Sequence, residues 1–244
     1  MGTILRHIQD PKDIRMVHSG LQILKDRLLE GSSSSLRSRS AFNRKSVGRA
    51  SGPTIVVQAM DRRTRNTEIN TLGCWVLGHL AEDHKVGTSV VTNGGIDAIV
   101  RAMIVFPENT LLQHYGCFAL RTILEHSSKS AKAVIGKGGV DVILMAQQNH
   151  PQNKGIVVHS SRALNTAATH KKGAQEIIKY GGSSELRSSC HSSIRTDQSS
   201  LFSSPSSVYT SYREYHESDA VLDQLADRLF DTLDGFGECR ACES

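Results

Sequence analysis

The residues best suited to chemistry lie near the end of the chain. Cys239-Arg240-Ala241-Cys242 is a Cys-x-x-Cys pair, and with Cys190-His191 it offers four residues of the types that bind zinc. A long serine-rich tract separates the two pairs, so no metal site is expected. Thioredoxin-like chemistry needs such a pair beside a βαβ unit, and none is legible. Among the eleven histidines, His79, His84, His114, His126, His150, His159 and His170 are dispersed, and no His-Glu-x-x-His run joins two of them on one helix face. Gly136-Lys137-Gly138-Gly139 could cradle a phosphate, but it recurs as a structural turn. No Gly-x-Ser-x-Gly elbow or paired kinase motif occurs. The expectation is therefore a chain that is not an enzyme and uses no cofactor. One charged cluster remains. Arg37, Arg39, Arg44, Lys45 and Arg49 fall in a stretch, 31–60, without an acidic residue. That suits a nucleic acid or an acidic partner, or a plain solvated loop.

The elements that would position any of these groups come from a repeat. Gly52-Pro53-Thr54-Ile55-Val56-Val57-Gln58-Ala59-Met60 matches Gly95-Ile96-Asp97-Ala98-Ile99-Val100-Arg101-Ala102-Met103 at a shift of 43. Gly73-Cys74-Trp75-Val76-Leu77 lands on Gly116-Cys117-Phe118-Ala119-Leu120 at the same shift. Gly94-Gly95-Ile96-Asp97 returns as Gly138-Gly139-Val140-Asp141 after 44 residues, and Pro107 returns as Pro151. A period of about 40–47 marks units of two or three stacked helices, so 53–182 reads as three repeats. Pro11 and Gly20 keep the spacing of Pro107 and Gly116, which makes 1–30 a partial N-terminal repeat.

Within a repeat, Leu112, Tyr115, Gly116, Ala119, Leu120 and Ile123 fall on one face of a helix. Ile69, Leu72, Gly73, Val76, Leu77 and Leu80 form the same face one unit earlier, and Ile156, His159, Ser160, Ala163, Leu164 and Ala167 a more polar version one unit later. A glycine inside a helix costs about 1 kcal/mol relative to alanine, so Gly73 and Gly116 at one repeat position predict a close helix crossing. Pro107 and Pro151 end the preceding helix, because proline lacks the N–H and pushes its predecessor out of the α region. The double glycines predict a left-handed cap between helices.

The rest is poor in core residues. Thirteen of the 30 serines fall between 183 and 211, and more lie in 31–52. The reading is a Ser/Arg-rich loop over 31–52, a disordered linker over 183–217 and a tail over 237–244. The net charge of +5 is unevenly placed, since 212–244 holds nine acidic and three basic side chains. No run of 18 apolar residues suggests a membrane helix, and residues 1–10 lack the apolar stretch of a signal peptide. With five cysteines, of which Cys74 and Cys117 sit in helical patterns, the expectation is reduced thiols in the cytoplasm, with the nucleus as alternative.

Taken together, the Gly-Gly-Ile/Val-Asp turn and the long helix with Gly-Cys-Phe-Ala-Leu-Arg-Thr-Ile resemble an armadillo repeat protein. The closest flavour is the armadillo segment of large leucine-rich-repeat kinases, where the Gly-Gly-Ile turn and Tyr-Gly-Cys-x-Ala-Leu look alike. The resemblance implies an all-α, armadillo-like α-solenoid, a right-handed superhelix of about three repeats of 43–44 residues. It also implies that the third helices line a concave groove for an extended peptide or partner protein. In nuclear-import adaptors of the family a Trp, and an Asn four residues on, recur on each third helix. Here Trp75 matches, but Phe118 and Arg162 replace the other two Trp residues, and His79, Thr122 and Thr166 stand at the Asn position, so a nuclear-import receptor is not expected. The candidate groove residues are Trp75, His79, Phe118, Arg121, Thr122, Arg162, Asn165 and Thr166. Packing between repeats is the competing role for Trp75 and Phe118.

One further helix is expected over 218–236. Leu222, Leu225, Leu229, Leu233 and Phe236 form its apolar stripe, Ser218 can cap it, and Asp219, Asp223, Asp227 and Asp231 form an acidic row. Like charges four residues apart destabilise an isolated helix, so it needs a surface. It could cap the last repeat, fill the groove as a pseudo-ligand, or bind a second protein. The function expected is non-catalytic protein–protein binding, with nucleic-acid or nuclear-associated binding through 37–49 as the alternative.

Overall fold

A computed structural model of the chain describes residues 2–9, 12–29, 37–179, 228 and 231–232. The linker and tail expected over 183–217 and 237–244, and the Cys190 and Cys239–Cys242 motifs, lie outside the described residues.

The described structure is all-helical, in twelve elements up to residue 179: α1 (Gly2–Gln9), α2 (Ile14–Leu29), α3 (Arg37–Arg49), α4 (Gly52–Arg62), α5 (Thr67–Ala81), α6 (His84–Thr92), α7 (Gly95–Val105), α8 (Thr110–His126), α9 (Ser128–Gly136), α10 (Gly139–Asn149), α11 (Lys154–Ala168) and α12 (Lys171–Lys179). They recur in threes, and each type stacks on its own kind. The Gly-led helices α1, α4, α7 and α10 form one row, the long helices α2, α5, α8 and α11 a second, and α3, α6 and α9 a third.

The repeat is built from recurring local devices. Asn66, Asn109 and Asn153 each cap a long helix, their side-chain oxygens accepting from Ile69, Leu112 and Ile156 amides at 2.8, 2.8 and 3.0 Å. Such a cap satisfies an orphan N–H at the helix start. α7 and α10 end two residues before Pro107 and Pro151. Gly94 and Gly138 are left-handed, at φ 84° and 76°, as the double glycines predict, and Ser51 takes the same conformation at the equivalent place. Gly73 and Gly116 lie where a Cβ would come within 2.5 Å of the Met60 and Met103 sulfur, so the predicted close crossing is present in both units. In the third unit the glycine becomes Ser160 and the methionine Gln147, and the Ser160 hydroxyl donates to the Gln147 carbonyl at 2.9 Å inside the core. An apolar contact has become a buried hydrogen bond.

A second buried amide fixes the angle between neighbouring helices. Asn70 donates to the carbonyls of Arg63 and Asn66, and Gln113, its equivalent, to those of Met103 and Phe106. Repeats are tied across their outer rows by Thr54 to Asn93 at 2.9 Å, His150 to the Pro107 carbonyl at 2.8 Å, and the ion pairs Arg101–Asp61 and Lys137–Asp97.

The loop expected over 31–52 is corrected. Residues Arg37–Arg49 form α3, which completes the N-terminal unit as α1–α2–α3. Its composition is polar, and docking rather than a broad apolar stripe holds it. Val47 is fully buried, Arg44 pairs with Glu82 at 2.8 Å, and Asn43 donates to the Arg27 carbonyl at 2.7 Å.

Candidate functional site

The long helices α2, α5, α8 and α11 lie side by side, so residues at one repeat position form a row across four elements. A chain of rings crosses it. Trp75 and His79 have centroids 4.0 Å apart, His79 and Phe118 4.8 Å, Phe118 and His159 5.5 Å, and His159 and His114 5.1 Å. Cations sit at the Trp75 end of this ladder and at its middle. The Lys25 ammonium lies 5.7 Å above the Trp75 ring and the Arg121 guanidinium 5.5 Å above Phe118, within the range of cation–π attraction.

Burial divides the expected site residues into two sets. Trp75 is 1% exposed, Phe118 6% and Arg121 6%, so these three are the floor of the face and not its surface. The expectation that the Trp75 ring is offered to a partner fails, because Lys25, His79 and the neighbouring helices cover it. His79, Thr122, Arg162, Asn165 and Thr166 are half-buried and reach the surface. Thr122 and Thr166 return their hydroxyls to the Phe118 and Arg162 carbonyls of their own helices at 2.9 and 3.1 Å, and Asn165 donates to Ser161 at 3.0 Å.

Glu82 organises the cationic groups. Its carboxylate accepts from His79 Nδ1 at 3.0 Å and pairs with Arg44 at 2.8 Å. Burial alone raises a carboxyl pKa. The His79 hydrogen bond and the charges of His79, Arg44 and Arg121 outweigh it and hold Glu82 below its ordinary value. Burial pushes the His114 imidazole down to about 4, with Arg121 adding to the effect. It drives His159 well below the ordinary value too, helped by His114, Arg121, Arg162 and His79. Both rings are therefore neutral near pH 7 and act as flat, polarisable packing groups. Lys25 is lowered by burial, against the opposing charge of Asp26.

This arrangement suits the binding of a chain laid across the helices. It presents half-exposed amide, hydroxyl, imidazole and guanidinium groups over an aromatic floor. Among the described residues, no group of three His, Cys, Asp or Glu side chains is placed to hold a metal ion, and no helix is long and apolar enough to cross a membrane. Sequence reading placed His159 on the packing face of its helix but missed that His114 and His159 join the row of rings. The signal lay in the repeat itself, since His114 stands four residues before Phe118 and His159 occupies the position of Leu72 and Tyr115.

No protein-family model matches the chain, and no curated protein matches it. Solved structures do. Two crystal structures described as engineered proteins, from a structural genomics consortium, are similar in fold. One has a TM-score of 0.65 at 14% identity, over 97% of this chain and 98% of the other. The second has a TM-score of 0.56 at 12% identity, over 96% and 98%. At these identities the likeness is one of fold alone.

Proposed function

We propose that the chain is a non-catalytic protein–protein interaction scaffold of the armadillo type, a right-handed superhelix whose third helices form a concave groove. The observation that carries this reading is the uninterrupted stacking of α2, α5, α8 and α11, with half-exposed His79, Thr122, Arg162, Asn165 and Thr166 over the buried row of rings. An extended peptide crossing several helices finds the same spacing of polar contacts in each repeat. The reading places the protein in the cytoplasm or nucleus.

Exposed Lys45 and Arg49 on α3 favour a second reading, nucleic-acid binding through 37–49. Arg44 is engaged with Glu82, which leaves fewer cations for that role. The two readings separate in one experiment. Linear peptides selected from a random library against the full chain, and a mixed-sequence nucleic acid, are each titrated at low and high salt against Arg162→Glu, Thr122→Arg and Lys45→Glu/Arg49→Glu chains. The scaffold reading expects a peptide that survives high salt and is lost in the Arg162 and Thr122 variants. Nucleic-acid binding that falls steeply with salt, as counterion release dictates, and is lost only in the α3 variant would replace it.

A further inference from the structure

The outer face of α2 departs from its three counterparts. Met16, Ser19 and Ile23 fall on one side of that helix, at the repeat positions of Ile69, Leu72 and Val76 on α5. The same positions hold Leu112, Tyr115 and Ala119 on α8, and Ile156, His159 and Ala163 on α11. All of these counterparts are buried, at 7% exposure or less. The preceding long helix covers them. A Cβ on Gly78 of α5 would lie 3.1 Å from the Ala119 Cα, and His159 of α11 meets Phe118 and His114 of α8.

α2 is the first long helix among the described residues, and there the same face meets water. Met16 is 36% exposed, Ile23 40%, and Ser19 is exposed as well. The opposite side of α2 is engaged with α5, where His18 reaches Glu68 at 3.8 Å and Lys25 lies above Trp75. The outer face therefore keeps the form of a helix-stacking surface, two apolar side chains with a small serine between them.

The charges beside it indicate which helix fits. Lys12, Ser19 and Asp26 line one flank of the apolar pair, and Asp13 and Arg27 stand on the other, all of them exposed. Each flank begins with one sign and ends with the opposite one. An antiparallel copy of the same helix complements both. With Met16 set opposite Ile23 of the copy, Lys12 falls beside Asp26 and Asp13 beside Arg27. Antiparallel packing also brings opposite ends of the helix macrodipoles together. The copy has the right length, since α2 has 16 residues against 15, 17 and 15 in α5, α8 and α11. The other long helix at an end of the described array, α11, carries no acidic side chain to meet Lys12 and Arg27.

We propose that two copies of this chain associate through the outer face of α2, antiparallel about a twofold axis near Ser19. Each copy supplies the long helix that the other's first unit lacks. A twofold contact of this kind is closed, so it covers the terminal face of the array without extending it into a filament. The contact lies on the far side of α2 from Lys25 and Trp75, so it stands apart from the peptide-binding reading of the long-helix row.

The test is sedimentation equilibrium of the full chain over a wide concentration range, beside Met16→Asp/Ile23→Asp, Asp26→Lys and Lys12→Asp/Asp26→Lys, with circular dichroism to confirm that helicity is kept. The expected result is a reversible monomer–dimer equilibrium. Met16→Asp/Ile23→Asp should weaken it by about tenfold or more, because an unpaired buried carboxylate costs more than the roughly 1.4 kcal/mol that a factor of ten represents. Asp26→Lys sets two lysines beside each other and should weaken the dimer by about threefold to tenfold. The further change Lys12→Asp reverses the pair and should restore the original affinity. A chain that stays monomeric, association that does not stop at the dimer, a dimer indifferent to the apolar substitutions, or a charge swap that fails to restore it would overturn the proposal.

Discussion

At the scale of single residues, the long-helix face is made of groups whose ordinary chemistry is suppressed by burial. His114, held at about 4, and His159, held well below its ordinary value, are titrated more easily in the unfolded chain, where imidazole sits near about 6.5. The unfolded state therefore binds more protons, so stability is complete above the unfolded value and is lost as pH falls from about 6.5 toward the folded value. Each ring contributes a slope of up to about 1.4 kcal/mol per pH unit in that window. Thermal melts between neutral and mildly acidic pH should show the fall, and His114→Gln and His159→Gln should each flatten it. The two buried thiols behave alike. Burial pushes Cys74 up to about 12 and Cys117 higher still, so neither presents a thiolate at neutral pH. Alkylation of the native chain followed by peptide mapping should leave Cys74 and Cys117 unmodified, and denaturant should release both. Trp75 was legible as a repeat position with groove binding and packing between repeats as competing roles, and its 1% exposure matches the packing role; what the sequence did not show was the Lys25 side chain that closes over it from α2, in another unit.

At the scale of elements, the helices are held by devices that recur with the period, and one unit that departs from them tests the logic. Gln147 and Ser160 replace the Met and Gly of the other two units with a buried hydrogen bond. Ser160→Gly alone removes the hydroxyl that donates to the Gln147 side-chain carbonyl, and Gln147→Met alone crowds Met against the Ser160 hydroxyl, so each should cost about 1–3 kcal/mol. The double variant rebuilds the contact of Met103 with Gly116 and should recover most of the loss. Denaturant titrations of the four chains close the cycle, and strict additivity would contradict the pairing. The N-caps give a milder series, with Asn66→Ala, Asn109→Ala and Asn153→Ala each expected to cost about 1 kcal/mol. The glycine turns, proline stops and close crossings were legible because each leaves a mark at a fixed interval. α3 was not, because a short helix docked by Val47 and an Arg44–Glu82 pair needs little apolar surface of its own. Its trace was Val47, five residues before Gly52 as Val90 and Val134 precede Gly95 and Gly139.

At the scale of the whole molecule, the chain is a stack in which each unit touches its neighbours, so its stability is a sum of unit and interface terms. The two ends then differ in kind. On α2, Met16 and Ile23 are 36% and 40% exposed, while on α11 Val158 and Ser161 are buried and Arg162 and Asn165 half-buried. Between the ends runs the face on which the proposed function depends, and a footprint tests it most directly. Hydrogen exchange of the full chain, free and saturated with a library-selected peptide, would be read along every helix. The account predicts slower exchange concentrated in α5, α8 and α11 around His79, Thr122 and Arg162. Protection confined to α4, α7 and α10, or to α3 alone, would contradict it.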